Sequence, residues 1–191
     1  MARNSFRRLG PALIVIRNAG ISVLRVPFRS LFLVRGDSMR PTLRDGDLIL
    51  VRRGLEKGAH YGRGSIVVAS IVAAEMPSLS GDNSPVTNVK RIVGLPGELV
   101  RVSSDGVVRI EEEPLGEPYL DPEARAAPGP GLSWLCDGNE YFLMGDHRAD
   151  SGDSRRFGPV PAANIVGKLW IRLPTHRLLS RRSSHRAGRN S

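Results

Sequence analysis

The sequence predicts a mainly β protein built from antiparallel sheets, on three observations. Between residues 36 and 172 the hydrophobic period is two rather than 3.6: short Val/Ile/Leu runs recur between turn residues. Asp105-Gly106 sits between two such runs, Glu98–Val102 and Val107–Glu111, and supplies a hairpin turn. No strand–helix alternation occurs, which disfavours a parallel α/β sheet. In chain order the predicted strands are Leu31–Val34, Asp47–Arg52, Ser65–Val72, Thr87–Val93, Glu98–Val102, Val107–Glu111, Glu140–Met144 and Ile165–Arg172. Two stretches read as surface loops: Glu75–Ser84, rich in Ser, Asn, Gly and Pro, and Pro122–Gly131, which contains Ala-Ala-Pro-Gly-Pro-Gly.

The organisation is an arm, a body and a tail: residues 1–30, 31–172 (with 96–139 as an inserted β subdomain) and 173–191. The chain of 191 residues carries a net charge of +9, which on its face points to nucleic acid or anionic lipid. The distribution corrects that impression. Residues 1–35 and 168–191 hold fourteen cations and no acid, so the body between them is net −5. An acidic body with 5% aromatics disfavours a nucleic-acid groove. One cysteine, Cys136, excludes an internal disulfide and a multi-cysteine zinc site, and no metal-ligand or cofactor motif is present.

In the arm, Arg17, Arg25 and Arg29 interrupt every apolar run short of the ~20 residues that span a bilayer. A secretory signal peptide fits poorly for the same reason. On a helical wheel Arg3, Arg7, Arg25 and Arg29 fall within about 80° of one another. An amphipathic helical segment ended by Pro27 and lying in a membrane interface fits this pattern, beside a helix packed on the chain's own body or a disordered leader. The tail is rich in Arg, Ser and His and is expected to be disordered.

Three constellations carry chemistry. The first is Gly36-Asp37-Ser38-Met39-Arg40-Pro41-Thr42-Leu43, a turn after a strand in which a serine could present both its hydroxyl and its own amide to an oxyanion. The second is Lys90, in the apolar run Val89–Val93 that ends at Gly94-Leu95-Pro96-Gly97. The chain has three lysines (Lys57, Lys90, Lys168) against 25 arginines, and only a lysine can act as a neutral base. At a reference pKa of about 10.4 roughly one lysine in 2,500 is neutral at pH 7, so a useful base needs burial to bring it nearer ~7–8. The third is Gly145 to Val160, with Ser151, Asp153 and Arg155, where Asp153 and Arg155 could pair as a scaffold. None of the four histidines lies in a Ser-His-Asp context.

Together these residues resemble type I signal peptidases, the Ser/Lys serine proteases that remove secretory signal peptides. The boxes follow in family order through most of residues 31–172: Gly36 to Leu43, Gly46 to Val51, Arg63 to Val68, Lys90 to Glu98, Glu117-Pro118-Tyr119-Leu120, and Gly145 to Val160. Ser65 stands where the family usually has Asp, and His147 where it usually has Asn. The resemblance implies a signal-peptidase-like catalytic core of antiparallel sheets. It implies Ser38 as nucleophile, Lys90 as general base, and Ser151 as the hydroxyl that orients the lysine amine. Asp153 and Arg155 would be scaffold, and Gly36, Asp37, Met39 and Pro41 would shape the turn that presents Ser38. It further implies cleavage after small residues at −1 and −3, a preprotein or leader substrate docked as an extended strand, membrane association, and no cofactor or metal. Against the family's usual N-terminal transmembrane anchor, this arm is interrupted by arginine, so a specialised maturation protease fits as well. Two other readings compete. A LexA/UmuD-like autopeptidase also uses Gly-x-Ser-Met and a strand lysine but expects no final Asp-Ser-Arg box. A non-catalytic membrane or nucleic-acid binder would leave Ser38 and Lys90 free to vary.

Overall fold

The computed structural model describes residues 13–14, 23–26, 29–53, 60–71, 86–121 and 130–175. The Glu75–Ser84 loop, most of the Pro122–Gly131 loop and the tail beyond residue 175 lie outside them.

The described chain forms thirteen strands. They are β1 (Leu13–Ile14), β2 (Val23–Val26), β3 (Arg29–Leu33), β4 (Leu48–Arg53), β5 (Ile66–Ile71), β6 (Val86–Gly94), β7 (Leu99–Val102), β8 (Val108–Ile110), β9 (Glu113–Pro114), β10 (Leu132–Leu135), β11 (Glu140–Met144), β12 (Val160–Pro161) and β13 (Ile165–Leu173). The one α-helix among the described residues is a single turn, α1 (Ser154–Phe157). Nine strands make a sheet in the order β1-β2-β3-β4-β13-β5-β6-β11-β12, and four make a second in the order β10-β7-β8-β9. All pairings are antiparallel.

The fold class predicted from period two is therefore the observed one, and the predicted strands of the body recur with small shifts at their ends. The arm differs. Its described parts, Leu13–Ile14 and Val23–Val26, are strands that pair with each other and with β3, where the helical wheel predicted a helix. Ladders to β1 and β3 satisfy the backbone groups of β2.

Burial explains the strand patterns. β5 is an almost unbroken apolar run because both of its faces are covered. Ile66 and Val68 join Phe32, Met39, Leu43, Ile49, Val51 and Val89 in one core cluster. Val67, Ala69 and Ile71 join Ile92, Tyr141, Leu143 and Ile165 in another. A third cluster, with Val93, Val100, Val108, Cys136, Phe142 and Met144, packs the small sheet against the end of the large one. The predicted Asp105-Gly106 hairpin is present, with the Ser103 amide bonded to the Val107 carbonyl.

Candidate active site

The chain leaves β3, makes the turn Gly36–Gly46 and re-enters the sheet as β4. Backbone bonds staple the base of this turn: the Val34 amide donates to the Asp47 carbonyl and the Gly46 amide to the Val34 carbonyl. Gly36 has φ +77°, a conformation that disfavours a side chain, and its amide donates to Asp45 Oδ1 at 2.9 Å. Met39 is 2% exposed and pins the turn into the core, while the Arg40–Pro41 bond is cis. Asp37 makes an ion pair with Arg40 on the outside of the turn. This arrangement leaves Ser38 partly exposed above β6.

Lys90 lies in the middle of β6, opposite Val67 of β5, and is 2% exposed. Its Nζ is 2.9 Å from Ser38 Oγ and donates to the Val89 carbonyl at 3.0 Å. Burial is the main cause that lowers the Lys90 pKa to about 8; Asp153 and Asp146 pull it up, and Arg155 pushes it down. At such a value about one molecule in ten carries the neutral amine at pH 7. A strand lysine can snorkel to water, but this one is buried against a serine hydroxyl.

Three arginine–carboxylate pairs frame this corner. Arg155 grips Asp153 through Nε and Nη2, at 2.8 and 2.9 Å, as the sequence predicted. Asp153 also caps α1 and accepts the Gly145 amide at 3.0 Å. Arg91 grips the fully buried Asp146 at 2.8 and 2.6 Å, and Thr42 of the nucleophile turn donates to the same carboxylate. Arg148 grips Glu117. Sequence reasoning missed the Thr42–Asp146–Arg91 bridge. Its members lie 55 and 104 residues from Asp146, and no local spacing announces them.

One expectation is corrected. Ser151 does not orient the lysine in this structure: its Oγ is buried and has no hydrogen-bond partner. Ser151 Oγ and the Ser38 carbonyl both crowd Gly145, 2.2 and 2.5 Å from where a Cβ would stand. Asp37 keeps to the turn, where it pairs with Arg40. His147 donates its amide to the Ser38 carbonyl at 3.0 Å, and its Nδ1 is buried without a partner.

The corner is thus a serine hydroxyl against a buried strand lysine, carried by an antiparallel β core. The family model for signal peptidases, peptidase S26, matches residues 4–173. Signal peptidase I of Bacillus amyloliquefaciens is 32% identical over 182 residues, covering 91% of this chain and 88% of its own. Signal peptidase I T of Bacillus subtilis strain 168 is 31% identical over 172 residues, with 86% and 83% covered. A crystal structure of a signal peptidase I from Enterococcus faecalis V583 aligns with a TM-score of 0.44 at 23% identity, over 59% of this chain and 98% of that one. The chain belongs to the signal peptidase family, peptidase S26. Membership makes it a serine endopeptidase of the signal-peptide-processing kind.

Proposed function

We propose that this chain cleaves signal or leader peptides with Ser38 as nucleophile and Lys90 as general base. The observation that carries the reading is the 2.9 Å separation of Lys90 Nζ from Ser38 Oγ, with the amine buried. Neutral Lys90 takes the Ser38 proton as Oγ attacks the scissile carbonyl. The Ser38 amide helps hold the oxyanion. The ammonium of Lys90 then protonates the leaving amine, and a water activated by the same lysine hydrolyses the acyl-enzyme.

An open sheet edge favours an extended substrate. β11 pairs with β6 only along residues 91–94, so the stretch of β6 from Val86 to Lys90 has no strand on its far side among the described residues. The Ile92 amide points to β5, and alternation then turns the backbone groups of Thr87 and Val89 outward beside Lys90. A peptide added there would bring its scissile bond to Ser38. Family membership supports small residues at −1 and −3 of that peptide.

Membrane association is part of the same proposal. Ladder partners share a face of the sheet, and two rows of one face are apolar: Leu31–Leu50–Ile171 and Leu33–Leu48–Leu173. Ile171, Leu173 and neighbouring Trp170 are 38%, 45% and 50% exposed. No helix among the described residues is long and apolar enough to cross a membrane. This apolar face, together with the arginine-rich ends, supports an anionic lipid surface as the partner.

The test is cleavage of a preprotein with a small-x-small site by purified variants. Ser38→Ala and Lys90→Ala are each expected to abolish cleavage. Retention by both would overturn the dyad, and retention by Lys90→Ala alone would move the base elsewhere.

A further inference from the structure

The Glu117-Pro118-Tyr119 segment has no part in the dyad, yet its side chains reach both flanks of it. Glu117 follows β9 in the part of the chain that carries the small sheet. Its carboxylate accepts both terminal nitrogens of Arg148 and the Tyr119 hydroxyl. The Glu117 and Arg148 side chains are 9% and 2% exposed. The third guanidinium nitrogen, Arg148 Nε, donates to the Gly145 carbonyl at 3.0 Å.

Arg148 thereby closes a circuit around the loop. The Gly145 amide donates to Asp153, Asp153 is gripped by Arg155, and Arg155 Nη2 donates to the Arg148 carbonyl at 2.7 Å. Gly145 is held at its carbonyl by Arg148 and at its amide by Asp153, directly against the Ser38 carbonyl. On the other flank the Tyr119 ring lies 3.9 Å from the guanidinium carbon of Arg91. Arg91 follows Lys90 in the chain and grips Asp146, which follows Gly145.

We infer that Glu117 is a positioning residue for the reaction: through Arg148 it fixes Gly145 against Ser38, and through Tyr119 it steadies Arg91 beside Lys90. The inference rests on the Ser38–Lys90 reading. Its physical basis is charge. Three arginines surround the corner and each has one carboxylate, so neutralising Glu117 leaves Arg148 buried without a counter-ion. The guanidinium then turns toward water and releases the Gly145 carbonyl. A displacement of about 1 Å at a reacting group costs on the order of a hundredfold in rate.

The experiment measures kcat and KM on a preprotein substrate, well below the thermal midpoint and normalised to folded enzyme. Glu117→Gln is expected to lower kcat about 10–100-fold with KM within about threefold. Arg148→Met should fall in the same range, and the double variant should lose clearly less than the product of the two single losses, because both act in part through Gly145. A normal kcat in Glu117→Gln with only a lowered thermal midpoint overturns the inference, as do losses that multiply in the double variant. Should Glu117→Gln fail to fold, Tyr119→Phe and Tyr119→Leu decide. Phe keeps the ring over Arg91 and is expected to lose less kcat than Leu, and equal, wild-type kcat in both overturns the inference. Ser38→Ala, run beside them, reports on the dyad separately.

Discussion

Lys90 and Lys168 make a natural comparison. Each lies in a nine-residue strand that flanks β5, and each is the ladder partner of the same residue, Val67. One is 2% exposed and touches a serine hydroxyl; the other is exposed beside Arg52. Strand context is shared, so it does not decide which lysine becomes a base. What differs is cover. The nucleophile turn and the Gly145–Asp153 loop close over Lys90, and two carboxylates of the frame supply the field around it. Burial destabilises the ammonium, and the carboxylates keep the amine from losing its basicity altogether.

The largest expected break in this comparison comes from arginine. Lys90→Arg keeps a cation but removes the possibility of a neutral base, and cleavage should fall by about a thousandfold or more. Lys168→Arg should leave it within about twofold in a detergent-based peptide assay. Thermal or urea unfolding gives the next effect. With the folded pKa near 8 and the unfolded value 10.5, the unfolded chain holds a proton that the folded chain lacks between those pH values. Wild-type stability therefore rises with pH across that window, and the full cost of burying the ammonium, about 3 kcal/mol, is present below pH 8. Lys90→Met should relieve that cost at pH 7 and gain nothing near pH 10.5, whereas Lys168→Met should shift stability by about 0.5 kcal/mol or less. The smallest effect is kinetic. Below pH 8, kcat/KM should rise about tenfold per pH unit as Lys90 loses its proton, then level off.

The same contrast shows what the sequence could disclose. The long apolar runs of β5, β6, β11 and β13 were legible because β-branched residues in period two leave few alternatives. β9, β10 and β12 were not. Glu113–Pro114 and Val160–Pro161 are two-residue pairings containing proline, and Leu132–Leu135 is largely exposed, so none shows an apolar alternation. Ser38 and Lys90 were legible only through the ordered boxes around them; each alone looks like an ordinary turn serine or strand lysine. Asp153–Arg155 was visible as a local pair two residues apart. The Thr42–Asp146–Arg91 bridge and the Glu117–Arg148 pair were not, because both depend on tertiary closure between distant boxes. The described part of the arm that pairs with β3, Val23–Val26, departs from the expectation because a helical wheel can be drawn for any spacing, and the ladder with β3 satisfies its backbone instead.

The central claim is that the fold turns one strand lysine into a base by burying it. A direct titration of the lysine side-chain signals by NMR tests it, with three lysines to assign by single Lys→Arg variants. The account predicts a midpoint near pH 8 for Lys90. A midpoint near 10.5 would contradict it.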